Sequence, residues 1–145
     1  MTEQDRNALK LENQLCFPLY ACSREVIKRY HPFLDAIGLT YTQYVTMLVL
    51  WEERAMSVKA LGERLYLDSG TLTPVLKSLE QKGCITRTRS KEDERVLIAS
   101  LTDEGAALME PAAEIPKQMS TCISLNPEDA IALYTLLYKL LGAME

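Results

Sequence analysis

Leu15, Leu19, Cys22, Val26 and Tyr30 recur at three- and four-residue intervals, so they line one face of a helix. That spacing predicts a first helix over 11–34. Pro18 falls inside it, and a proline removes the hydrogen bond to the carbonyl four residues back unless it stands in the first turn. The regular helix therefore either begins near Phe17 or bends beside Cys16. Pro32 loosens its far end, and Gly38 marks a turn. Tyr44, Met47, Leu48 and Trp51 supply the apolar face of a second helix over 42–53. Ser57 reads as the N-cap of a third, over 58–65. Asp68-Ser69 opens a fourth that reaches about 82, where Gly83 ends it.

Beyond Gly83 the period drops to two. Residues 84–89 alternate and are β-prone, 90–95 form a charged turn, and 96–101 are a second strand. Thr102 caps another helix. Asn126-Pro127 begins a last one, with a stripe of Leu133, Leu137, Leu140 and Leu141 flanked by Tyr134 and Tyr138. The fold class is mainly α with a small β-hairpin (α+β). No repeat or linker divides it, so 1–145 reads as one domain.

Composition narrows the function classes. The 145 residues are 48% hydrophobic and 25% charged, as in a globular domain. No apolar run spans a bilayer, and 1–6 lack the basic start of a signal peptide, so no membrane partner and a cytoplasmic location are expected. Cysteines stand at 16, 22, 84 and 122, without a CxxC pair, and His31 is the one histidine. That set offers no zinc site, and no metal or cofactor is expected. The net charge of −4 hides an asymmetry. From Arg54 to Lys91 eight Lys/Arg face three acids, a balance of +5 that leaves −9 elsewhere. A basic centre in an acidic chain suits a polyanion.

Two short helices followed by a two-stranded hairpin describe a winged helix-turn-helix, here over 42–101. The second helix of such a unit enters the major groove of double-stranded DNA with its N-terminal residues near base edges. Ser69, Gly70, Thr71, Leu72 and Thr73 start that helix, and their small hydroxyl groups permit close approach. Lys77 and Lys82 follow. Arg87, Arg89, Lys91 and Arg95 on the hairpin suit phosphates or a narrow minor groove.

The stretch Leu65-Tyr66-Leu67-Asp68-Ser69-Gly70-Thr71-Leu72-Thr73-Pro74, followed by Asp93-Glu94-Arg95, resembles the MarR family of repressors. Leu11-Glu12-Asn13-Gln14-Leu15-Cys16-Phe17 narrows the likeness to its organic hydroperoxide regulators, the OhrR group. The match runs over about 11–105. It implies a homodimer held by first and last helices, 11–36 and 103–145, and an operator with two half-sites about one helical turn apart. It also implies that Asp68 pairs with Arg95 to brace the wing, and that Ser69 and Thr71 touch DNA. Ser78 departs from the pattern, since relatives often carry a second basic residue after Lys77.

Without the likeness, Cys16 reads as a small buried hydrophobe. The likeness makes it a sensor of organic hydroperoxide, with Tyr30 and Tyr41 of the partner subunit, and Tyr20 as a third, placed to support its thiolate. Hydrogen bonds donated to sulfur favour that charged form, which is the nucleophile. Oxidation gives a sulfenic acid that condenses with a second thiol. Cys22 lies six residues on, about 9 Å along a regular helix, beyond disulfide reach. The resemblance implies Cys122 of the other subunit as the resolving cysteine, and a small cellular thiol stays open as the alternative. A ligand-operated repressor with incidental cysteines is a second reading. A thiol peroxidase is a third reading, but the chain shows no CxxC pair and no nucleophile–histidine arrangement, so no enzyme is expected.

Overall fold

The computed structural model describes residues 1–145. A short helix α1 (Glu3–Ala8) is capped by Thr2, whose side chain accepts from Asp5 N at 3.1 Å. Of the two expected arrangements the structure takes the later start: Leu11–Asn13 form a separate 3-10 turn, and α2 runs Cys16–Asp35, not from 11. Pro18 thereby falls in the first turn, where its missing N–H has no intrahelical partner to lose. Pro32 lies within α2, which continues to Asp35. Helix α3 (Tyr41–Glu53) begins with a reciprocal cap, Thr40 accepting from Gln43 N and Gln43 accepting from Thr40 N.

Ser57 and Asp68 cap α4 (Val58–Leu65) and α5 (Ser69–Gln81), as their positions predict. Gly83, at φ 79°, supplies the left-handed turn that leads α5 into the hairpin. Strands β2 (Ile85–Arg89) and β3 (Leu97–Leu101) pair antiparallel, with Arg87 opposite Ala99. A third strand, β1 (Ala55–Ser57), adds to the far edge of β3. Three residues are too few to show a period, so the hydrophobic pattern holds no sign of it. After Thr102 come α6 (Asp103–Ala107), α7 (Met109–Ala112), α8 (Ile115–Cys122) and α9 (Pro127–Ala143).

The core lies where α3, α4 and α5 meet the sheet. Met47, Leu50, Leu61, Leu72, Leu76 and Leu79 are fully enclosed there. Truncating one of these leucines to alanine typically costs about 2–5 kcal/mol. From α8, Ile115 and Met119 join the same cluster, and α8 packs against α2. Neither α1 nor α9 buries a residue. No helix is long and apolar enough to cross a membrane.

Candidate functional site

Helix α5 divides its residues between two environments. Leu72, Leu76 and Leu79 point into the core. Ser69, Thr73 and Lys77 follow at four-residue spacing on the open side, with Gly70 and Thr71 exposed beside them. Asp68 caps the helix, accepting from Thr71 N at 2.8 Å, and Thr73 donates its hydroxyl to Ser69 O at 2.7 Å. The result is an exposed thirteen-residue helix with a small polar N-terminal face and one lysine behind it.

The hairpin places Arg89, Lys91 and Arg95 in solvent. Arg87 is different, because its side chain turns toward α5. Its guanidinium donates to Glu80 Oε1 at 3.2 Å and its backbone N to Glu80 Oε2 at 3.0 Å, with the side chain only 20% exposed. It ties β2 to α5. The expected Asp68–Arg95 brace is corrected. Arg95 forks onto Asp93, with Nε and a terminal nitrogen each 3.1 Å from a carboxylate oxygen. Asp68 is engaged in its cap. Both line one cleft with Lys59 and Tyr66, but each answers its nearest neighbour in sequence. The wing is braced by Arg87 and Glu80 instead.

The thiols separate clearly. Cys84 is buried beneath α5 and the sheet, and burial pushes its thiol pKa up, away from reactivity. Cys16, Cys22 and Cys122 are exposed, and all four are free. The inert-hydrophobe reading thus fits Cys84, not Cys16. Cys16 is the first residue of α2, where the helix extends beyond the core. Tyr20, one turn on, is exposed and stacks with Arg24, whose guanidinium carbon is 5.5 Å from the ring centroid.

Tyr30 and Tyr41 are brought together, ring centroids 4.9 Å apart, and Tyr44 lies 5.9 Å from Tyr30. Burial pushes all three phenol pKa values up, so they remain O–H donors. Cys16 of the same chain is not with them, since Tyr30 lies about 21 Å further along α2. Cys122 ends α8, its thiol directed at Gln118 O, 3.5 Å away. His31 is exposed on α2.

Two functional neighbours escape the sequence pattern. Glu80 holds Arg87, a contact no local spacing announces. Gln43 is buried and bonded to Ser78 of α5 and to Lys82 at that helix's C-cap. The Thr40-x-x-Gln43 capping signature marks its backbone role but not this second one.

Comparison with known proteins places these features among regulators. The family described as transcriptional regulator SarA/Rot matches residues 28–111. An organic hydroperoxide resistance transcriptional regulator of Bacillus subtilis is 54% identical over 136 residues, 94% of this chain and 92% of that protein. The structure of reduced AbfR bound to DNA, AbfR being a protein of Staphylococcus epidermidis, superposes with a TM-score of 0.78 at 35% identity. It covers 99% of this chain and 100% of that one. The disulfide form of AbfR gives 0.65 at 37% identity, with coverages of 97% and 99%.

Proposed function

The chain belongs to the MarR family of winged-helix transcriptional regulators, within its organic hydroperoxide group, and from that premise we propose that it is a redox-sensing repressor, not an enzyme. In this reading a homodimer holds double-stranded operator DNA while Cys16 is reduced and releases it when organic hydroperoxide oxidises that thiol. The carrying observation is the exposed polar face of α5 beside the basic wing. Ser69, Thr71, Thr73 and Lys77 address the major groove; Arg89, Lys91 and Arg95 address the backbone. Arg87 holds the wing to that helix.

The winged unit over 42–101 is the DNA-binding lobe, and 11–36 with 103–145 form the dimer. Exposed apolar residues support this. Ile131, Leu133, Tyr134, Leu136, Tyr138 and Leu140 spread over about 220° of α9, more than one flat surface covers. The separation of Cys16 from the tyrosines within one chain favours donors from the partner subunit. Tyr30 and Tyr41, with Tyr20 near the sulfur, then stabilise the thiolate.

The thiolate attacks the peroxide, breaking O–O. Sulfur takes one oxygen as sulfenic acid, and the other leaves as alcohol after taking up a proton. Cys122 of the partner attacks that sulfur, an S–S bond forms, and water departs. The disulfide draws the helix bearing Cys122 toward Cys16 and disturbs the spacing of the two recognition helices.

The test is fluorescence anisotropy with a duplex that the reduced protein selects from a random-sequence pool. Wild type is expected to release the duplex on treatment with cumene hydroperoxide. Cys16→Ser is expected to hold it; release by that variant would rule Cys16 out as the sensor.

A further inference from the structure

Gln43 is the most enclosed amide side chain in the winged unit, 6% exposed. Its Oε1 accepts from Thr40 N at 3.1 Å and from Lys82 Nζ at 2.8 Å, and its Nε2 donates to Ser78 Oγ at 2.9 Å. Lys82 also donates to Gly38 O at 2.6 Å, in the turn between α2 and α3. Ser78 and Lys82 are one helical turn apart, on the side of α5 that faces α3. The corner they grip is the one that carries the tyrosines, for Tyr41 and Tyr44 flank Gln43 and Tyr30 packs on both.

No other hydrogen bond joins α5 to α3, and the leucines that α5 buries, Leu72, Leu76 and Leu79, can slide. Hydrogen bonds cannot, since a displacement of less than about 1 Å breaks them. They set the rotation of α5 about its axis. With Ser78 held inward, its neighbour Lys77, about 100° round the helix, is held outward. Ser78 thus faces Gln43, not DNA.

We propose that Gln43 is a positioning residue that couples the tyrosine corner to the recognition helix, so that a shift of α2 against α3 on thiol oxidation turns α5 on the DNA. The proposal rests on the redox reading above and deepens it. Gln43 touches neither thiol nor DNA; it acts through Ser78 and Lys82.

The experiment compares wild type, Gln43→Leu, Lys82→Met and Gln43→Glu. Two quantities are read for each: the rate of sulfenic acid formation at Cys16 with cumene hydroperoxide, by mass spectrometry, and the ratio of duplex affinities in the reduced and oxidised forms. Wild type is expected to show a ratio of roughly tenfold or more, within the usual range of coupling. Gln43→Leu and Lys82→Met are expected to oxidise at the wild-type rate while the ratio falls toward one. Gln43→Glu keeps an acceptor for Lys82 and for Thr40 N, takes the Ser78 hydroxyl as a donor, and is expected to restore the ratio. Lys82 is exposed, so its truncation keeps the test usable if Gln43→Leu misfolds. A wild-type ratio retained by Lys82→Met and by any folded Gln43→Leu overturns the coupling role. A ratio of one in the wild type instead overturns the redox reading itself.

Discussion

Glu80 accepts twice from Arg87, from its guanidinium at 3.2 Å and from its backbone N at 3.0 Å, and so joins the recognition helix to the wing. The guanidinium's hydrogen bond holds the Glu80 carboxyl below the ordinary glutamate value. A carboxyl more acidic when folded than when unfolded stabilises the fold above its unfolded pKa, about 4.3, and loses that contribution as pH falls through the folded value. Glu80→Gln is therefore expected to melt below wild type at pH 7, with the gap closing between pH 5 and 3. Thermal melts across that range check it. A gap that stays constant would mean the charge of Glu80 does nothing.

Gly105 has no room for a side chain, because a Cβ there would run into the carbonyl of Cys84. Neither backbone can yield cheaply. The Cys84 carbonyl accepts from Thr102 N at 3.1 Å, and Gly105 O accepts from the Trp51 indole at 2.8 Å. Gly105→Ala is expected to cost about 3 kcal/mol, the upper end of overpacking. Urea unfolding followed by fluorescence of Trp51, the one tryptophan, measures it. A loss below about 1 kcal/mol would show that the close approach relaxes freely.

Element ends were legible because capping is local chemistry. Ser57, Asp68, Thr102, Asn126 and Gly83 each announce a boundary from within a few residues, and the structure places them there. Contacts between elements were not. Arg87 and Arg89 lie on the same strand face by period, yet Glu80 turns one inward and leaves the other in water. The same limit explains Asp68 and Arg95, where local partners satisfy each charge before the long-range pair forms. Cysteine is usually a buried residue, but the first turn of α2 extends beyond the core, so residue type alone misjudged the exposure of Cys16.

The tyrosine pair yields a kinetic expectation. In the proposed dimer each phenol donates to the sulfur, and a hydrogen bond to a charged group is worth about 1.5–3 kcal/mol, so losing one costs roughly tenfold in rate. Tyr30→Phe and Tyr41→Phe are each expected to slow oxidation of Cys16 by cumene hydroperoxide about tenfold. Both keep the ring contact at 4.9 Å, so stability should change by less than about 1 kcal/mol. Stopped-flow oxidation measures the rate with the peroxide, and alkylation of Cys16 by iodoacetamide measures its nucleophilicity separately. Wild-type values in both variants would remove the tyrosines from the thiol site.

Cys122 offers the last expectation, about which sulfur resolves the sulfenic acid. Cys84 is buried with its thiol pKa raised, and Cys22 shares a continuous helix with Cys16 at about 9 Å. Cys122, at the exposed end of α8, is held only by a weak contact to Gln118 O. A bond between Cys16 of one subunit and Cys122 of the other makes a covalent dimer visible on a non-reducing gel. Wild type treated with one equivalent of cumene hydroperoxide is expected to run as that dimer, and Cys122→Ser as a monomer carrying a sulfenic acid. Adding a small thiol to the variant should then convert the sulfenic acid to a mixed disulfide, read as a mass increase on the peptide containing Cys16. A covalent dimer that persists in Cys122→Ser would assign the resolving role elsewhere, and peptide mapping of the joined sulfurs would name the residue.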